Sequence, residues 1–255
     1  QYATAFVQPG KETVKVRNEV RVDTIRKQFW IFTVDDGIIS VLRHRSTINE
    51  EELIMDIVCL DLEGVLVPEI WIAFAEESGI PELKKTTRDE PDYDKLMNWR
   101  LGILKEHGLG LKEIQETIAK IDPLPGAKEF LDKLREMGQV IIISDTFTQF
   151  AKPLMKKLGW PTIFCNSLEV APDGTITGFK MRIEKSKYTT VKALQSIGFE
   201  TIASGDSYND LGMIEASKAG FLFRSTEQIK KDHPELAAYE TYDELFDAIK
   251  KAMEA

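Results

Sequence analysis

Three short acidic or hydroxylic clusters each follow an apolar run: Asp61-Leu62-Glu63-Gly64, Ser144-Asp145-Thr146 and Gly205-Asp206-Ser207-Tyr208-Asn209-Asp210. Asp, Ser, Thr and Asn cap helices and turn corners, so capping explains any one cluster about as well as chemistry does. Capping does not explain three of them on one sheet edge. Asp61, Glu63, Asp206 and Asp210 would repel one another unless a hard cation sat among them. Carboxylate oxygens and waters make an octahedral Mg²⁺ site in which a phosphate oxygen can replace a water. The ion then neutralises charge on the phosphoryl group in flight. Asp61 and Glu63 alternate along an extended segment with Leu62 turned away. One carboxylate can therefore attack phosphorus, forming an aspartyl-phosphate, while the other handles the leaving-group proton. Ser144 offers a hydroxyl to a phosphate oxygen. Lys187 offers a charge, although its spacing alone favours an ordinary surface lysine at a helix start.

The elements that must position these groups are short and regular. Apolar runs at 57–60, 140–143, 162–165, 202–204 and 221–223 read as buried strands, with helical periodicity over 126–137, 150–158, 187–197, 210–217 and 243–253 between and after them. Pro172-Asp173-Gly174 reads as the turn of a β-hairpin between 168–170 and 176–181. Alternating strand and helix implies an α/β fold, a Rossmann-like three-layer core with a mainly parallel sheet. In such sheets ligands bind beyond the carboxyl ends of the strands, where the three clusters fall. One interval breaks the alternation. Residues 68–123 carry helical patterning (70–77, 93–107, 111–121) and no strand, which reads as a small helical cap inserted after the first strand. Asp122-Pro123-Leu124-Pro125-Gly126 is then the return hinge. The domains are thus residues 1–54, a core of 55–67 and 124–255, and a cap of 68–123.

In order and spacing, the clusters and Lys187 resemble the four signature segments of the haloacid-dehalogenase superfamily. The resemblance runs from about Met55 to Ala255 and implies a Mg²⁺-dependent phosphatase. Asp61 is then nucleophile and metal ligand, and Glu63 is acid/base and lends its backbone carbonyl to the metal. Asp206 completes the protein ligands with Asp210 in support, Ser144 and Lys187 hold the phosphoryl group, and Asp145 and Asn209 count among the substrate-binding residues. Within the superfamily the chain resembles phosphoserine phosphatases, and more closely the bifunctional phosphoserine phosphatase/homoserine phosphotransferases. These also read Asp-Leu-Glu-Gly-Val-Leu-Val-Pro-Glu where this chain has Asp61 to Glu69, with glutamate where most members carry aspartate. Glu69 and Arg100 stand where phosphoserine phosphatases grip the ammonium and carboxylate of the amino acid, the latter bidentately. O-phosphoserine is the implied substrate and homoserine a second acceptor. Another small phosphate monoester is the alternative. A haloalkanoate dehalogenase would not need Glu63, and a non-catalytic binding protein would be expected to have lost Asp61, Glu63 or Asp206.

The bulk composition agrees. Of 255 residues, 43% are hydrophobic and 29% charged, as in a soluble globular protein, and the net charge of −9 speaks against a nucleic-acid partner. No apolar stretch reaches the ~20 residues of a membrane span, and the beginning lacks a signal-peptide layout, so a cytoplasmic enzyme is expected. Cys59 and Cys165 read as small buried hydrophobes of a reducing compartment. His44, His107 and His233 lie outside every motif, which argues against zinc or histidine catalysis. Trp71, Phe74, Trp99 and Leu101 read as packing of the inserted helices, with Trp99 a candidate pocket residue beside Arg100. No feature sets an oligomeric state, and a homodimer stays open. Residues 1–54 match no family. Loose alternation at 14–22 and 29–34, with Asp35-Asp36-Gly37 as a turn, suits a small regulatory β-rich module. The competing expectation is that Met55 is the natural start. Glu50-Glu51-Glu52 requires purine-rich codons, which Leu53-Ile54 would space from an ATG as a bacterial ribosome-binding site is spaced.

Overall fold

A computed structural model of the chain describes residues 22–25, 28–35, 38–44, 55–86, 89–90 and 92–255. It divides into two units, 1–53 and 54–255. In the first, β1 (Val22–Ile25), β2 (Gln28–Asp35) and β3 (Ile38–His44) form an antiparallel sheet in that order. The expected strand at 29–34 lies within β2. Of the segment at 14–22 only Val22 falls within the described residues; Asp36, Gly37 and residues 50–54 fall outside them.

The second unit is built on β4 (Met55–Leu60), a run buried on both faces. Alternation sends Val58 and Leu60 to one side of the sheet and Ile57 and Cys59 to the other. Ile142 and Ile202 join the first side, and Ile141, Ile143 and Ala203 the second. Each side is covered by helices, which is why these strands read as continuous apolar runs rather than alternating ones.

The helices and strands after β4 are α1 (Ile70–Ser78), α2 (Tyr93–Glu106), α3 (Leu111–Ile118), α4 (Ala127–Met137), β5 (Gln139–Phe147), α5 (Thr148–Lys157), β6 (Thr162–Val170) and β7 (Ile176–Lys180). Then come α6 (Ser186–Ser196), β8 (Phe199–Gly205), α7 (Leu211–Ala216), β9 (Ala219–Phe223), α8 (Glu227–Asp232), β10 (Ala237–Tyr239) and α9 (Tyr242–Met253). The sheet order is β10-β9-β8-β4-β5-β6-β7, parallel except for the antiparallel β6–β7 pair. The chain leaves β4 for β5 on one side and later places β8 on the other. That reversal opens a crevice at the carboxyl end of β4.

Several elements differ from the sequence expectation. The runs at 162–165 and 168–170 are one nine-residue strand, whose first half completes the parallel sheet and whose second half pairs with β7. The helix expected at 210–217 opens as a 3₁₀ turn over Tyr208–Asp210 before α7 begins. The strand β10 and the helix α8, three and six residues long, carry too little periodicity to stand out. Cys59 is fully buried but Cys165 is only half-buried.

Helices α1–α3 sit between β4 and α4 in sequence but share the apolar core beneath them, through Ile70, Phe74, Met97, Leu104, Ile114 and Ile118. The outgoing and returning segments run side by side, the Leu124 amide donating to the Leu66 carbonyl at 3.0 Å. On the far side the Leu111 amide donates to the Gly174 carbonyl at 2.9 Å, and Tyr93 meets Phe179 edge-on.

Candidate active site

Asp61 directly follows β4, and its amide still donates to the Ser204 carbonyl of β8 at 3.0 Å. The ladder thus holds its backbone one residue past the strand. Asp61 is 5% exposed; one carboxylate oxygen accepts from the Leu62 amide at 2.7 Å and the other faces Lys187 Nζ at 3.0 Å. Lys187 also donates to Asp210 Oδ1. The surface-lysine expectation is therefore wrong: Lys187, in the first turn of α6, is 3% exposed and bridges two buried carboxylates. Burial pulls its ammonium down, but Asp210 and Asp61 outweigh burial and hold it above its ordinary value. Asp61 is raised, first by burial and then by Asp210 nearby.

Asp210 is fully buried and its second oxygen accepts from the Asp206 and Ser207 amides, each at 3.0 Å, and from Ser207 Oγ at 3.1 Å. It organises the loop that carries Asp206. Gly205 makes this approach possible: a Cβ there would lie 2.2 Å from Asp210 Cγ. Gly64 is constrained twice. Its φ is +76°, and a Cβ would fall 2.4 Å from Asp206 Cγ.

Asp61, Asp206 and Asp210 place carboxylate oxygens within 4.8 Å of one another. Lys187 serves Asp61 and Asp210, and among the described residues Asp206 has no ion-pair partner. Burial, then Asp210, push Asp206 up to about 7. Three converging oxygen donors with one uncompensated carboxylate fit a hard divalent cation. The Glu63 carboxylate points elsewhere, accepting from the Ile70 amide at the start of α1 at 2.8 Å. Burial raises it to about 7 against that bond, a value suited to giving and taking a proton near neutrality.

Around these groups lies a cleft of about 760 Å³. Asp61, Glu63, Glu69, Arg100, Ser144, Asp145, Lys187, Asp206 and Asn209 all line it, and Asp210 stands behind Lys187. Ser144 is buried, and its Oγ accepts from the Thr146 amide at 3.2 Å. Asp145 accepts from Ser186 Oγ at 2.7 Å and from Asn209 Nδ2 at 3.0 Å. At the other end Arg100 is 5% exposed, 4.5 Å over the Trp71 ring. Its Nη2 donates to the Lys85 carbonyl at 2.7 Å, while its buried Nε has no hydrogen-bond partner among the described residues. Burial lowers the guanidinium to about 10, against Tyr93, Glu63 and Glu69. Trp99, by contrast, does not line the cleft; it is partly exposed under Lys85. Sequence reasoning missed Tyr93 and Tyr208 as wall residues and took Trp71 for packing alone.

Residues 55–218 match the family model described as haloacid dehalogenase-like hydrolase. The chain belongs to that family. Among curated relatives, phosphoserine phosphatase ThrH of Pseudomonas aeruginosa is 53% identical over 191 residues, covering 75% of this chain and 93% of that protein. A phosphoserine phosphatase of Pseudomonas syringae pv. tomato is 50% identical over 194 residues, covering 76% and 82%. Among solved structures, the phosphoserine phosphatase from T. onnurineus superposes with a TM-score of 0.60 at 25% identity, covering 80% of this chain and 98% of that one.

Proposed function

We propose that the chain is a Mg²⁺-dependent phosphoserine phosphatase working through an aspartyl-phosphate on Asp61. The observation that carries this reading is the two-ended cleft. A carboxylate nucleophile with Lys187, Ser144 and a cation-ready Asp206 lies at one end; Arg100, whose buried Nε has no partner among the described residues, and Glu69 lie at the other. O-phosphoserine presents a phosphate, a carboxylate and an ammonium to these three sets of groups. The relatives named as phosphoserine phosphatases support the same assignment.

Asp61 attacks phosphorus as the bond to the serine oxygen breaks, and Glu63 gives that oxygen its proton. Glu63 then takes a proton from a water that attacks the aspartyl-phosphate, releasing inorganic phosphate and restoring Asp61. Lys187 and Ser144 hold phosphoryl oxygens, and Asp145 and Asn209 keep that wall in place. Asp61, Asp206 and the Glu63 carbonyl would hold Mg²⁺, with Asp210 in support; the ion supplies charge neutralisation on the transferring group. Residues 68–123 act as a cap that shields the reaction from bulk water.

A second reading, transfer of the same phosphoryl group to homoserine, is favoured by the segment Asp61 to Glu69, which reads as in the bifunctional enzymes. The test is incubation with L-phosphoserine and Mg²⁺, with and without L-homoserine, following phosphate, serine and phosphohomoserine. Equal release of phosphate and serine, unmoved by homoserine, is the result expected of a phosphatase. Phosphohomoserine formed at the expense of phosphate establishes transfer. If serine never appears, the amino-acid substrate is wrong.

A further inference from the structure

The Ser144-Asp145-Thr146 cluster sits where β5 leaves its regular ladder. Ile143 pairs with Phe164 and Phe147 with Asn166, so three residues of β5 oppose one of β6. A bulged strand leaves backbone groups without their ladder partners. Here a side chain supplies one: Asn166 Nδ2 donates to the Asp145 carbonyl at 2.9 Å. Asn166 is 1% exposed, and its Oδ1 accepts from the Arg182 amide, also at 2.9 Å. Only this orientation of the amide satisfies both contacts, since a carbonyl can only accept and an N–H only donate.

Arg182 begins the short segment that ends in Ser186 and Lys187, turning through Lys185 in the left-handed region at φ +49°. Arg182 is itself fixed to α6, its guanidinium donating to Thr190 Oγ1 at 2.6 Å. The segment closes back on the bulge when Ser186 Oγ donates to the Asp145 carboxylate at 2.7 Å. Asn166 therefore touches both segments that hold the phosphoryl group, the β5 bulge with Ser144 and the turn that delivers Lys187, while lining no part of the cleft itself.

We propose that Asn166 is a positioning residue for phosphoryl binding, a buried tie that sets the Ser144–Thr146 bulge and the Lys187-bearing turn in mutual register. An apolar residue would leave the Asp145 carbonyl and the Arg182 amide without these partners, and a misplacement of about 1 Å can cost about 100-fold in a reaction held by geometry. The inference needs only that the cleft binds a phosphoryl group, not that the substrate is phosphoserine.

The test uses the full chain with Mg²⁺ and beryllofluoride, a mimic of the aspartyl-bound phosphoryl group, titrated calorimetrically. Asn166→Ala and Asn166→Asp should each bind it about 10- to 100-fold more weakly than the unsubstituted protein. Asn166→Asp keeps the acceptor for the Arg182 amide and turns a carboxylate oxygen, in place of the donor, toward the Asp145 carbonyl, so it breaks the tie at one end even if the alanine variant fails to fold. Ser186→Ala, which cuts the second tie, should weaken binding in the same direction. Asn166 variants that melt earlier but bind beryllofluoride within about threefold of the parent would overturn the proposal. So would a loss confined to Asn166→Ala. If the parent binds beryllofluoride but does not hydrolyse phosphoserine, the proposed substrate fails and the Asn166 inference stands on its own data.

Discussion

The two ends of the cleft are built on different foundations. At the phosphoryl end Asp61, Lys187 and Asp210 are buried, each held by at least two partners and each attached to a strand or helix of the central sheet layers. At the other end Arg100 rises from one helix, α2, with one carbonyl bond, one thioether contact, the Trp71 ring beneath it and an Nε without a partner among the described residues, and Glu69 is exposed at the start of α1. A densely cross-linked site fixes reacting atoms within the tolerance that chemistry needs. A loosely satisfied donor waits for a ligand, because its unmet hydrogen bond is the affinity it can offer. The contrast predicts that damage at the first end should destroy chemistry or folding, and damage at the second should change what is recognised.

The largest effect belongs to Asp61→Asn. It removes the nucleophile while nearly preserving shape, so phosphoserine turnover should fall by on the order of 10⁴-fold or more, with no acid-stable label transferred to the protein. Turnover near that of the parent would refute the assignment of Asp61 and the mechanism with it. Lys187→Met comes next and reads out differently. It leaves Asp61 and Asp210 facing each other without the cation between them, and breaking a buried ion pair from one side costs about 3–5 kcal/mol. Denaturant unfolding with a chelator present should show that loss, and added Mg²⁺ should restore part of it by taking up carboxylate charge. An unchanged midpoint in chelator would mean that the phosphoryl end is less tightly coupled than its contacts imply.

Arg100→Ala tests the other half of the contrast. Losing a buried charged contact to the substrate carboxylate should raise the KM for phosphoserine by about 10- to 100-fold with a smaller fall in kcat. A phosphate monoester lacking the amino-acid group, such as p-nitrophenyl phosphate, should be handled nearly as before. An unchanged KM for phosphoserine would move the carboxylate site elsewhere.

The same contrast explains how much could be read from residues alone. The phosphoryl end was legible because its parts follow buried apolar runs, and a hydrophilic cluster at a strand's carboxyl end stands out against Ile57 to Leu60 or Ile202 to Ser204. Lys187 was not, because its burial comes from Asp61 and Asp210, 126 and 23 positions away in sequence, and no local period encodes that meeting. Asn166 is hidden for the same reason: its neighbours suggest strand, and its partners Asp145 and Arg182 are tertiary. In the inserted helices the periodicity gave the elements but not their faces. Trp71 and Trp99 have equal claims by type, and only the packing of α1 and α2 puts Trp71 under Arg100 and leaves Trp99 outside the cleft.

The smallest expected effect concerns the strip of chain between the two ends. Val65 is fully buried on the turn that leads from Asp61 toward the inserted helices, and its carbonyl accepts from Tyr242 Oη at 2.6 Å. The Tyr242 ring stacks on Phe130 and tilts against Phe223, with Arg224 4.6 Å over it, so α9 braces the turn from behind. Tyr242→Phe keeps every ring contact and removes only the donor, leaving a buried carbonyl unpaired at a cost of about 1 kcal/mol. In a domain of this size that lowers the melting midpoint by about 2–4 °C. If the turn is part of the rigid phosphoryl end, kcat should fall by a few-fold while the KM for phosphoserine holds. If instead KM rises and kcat stays level, the turn moves with the inserted helices, and the boundary between the two ends lies closer to Asp61 than the buried contacts place it.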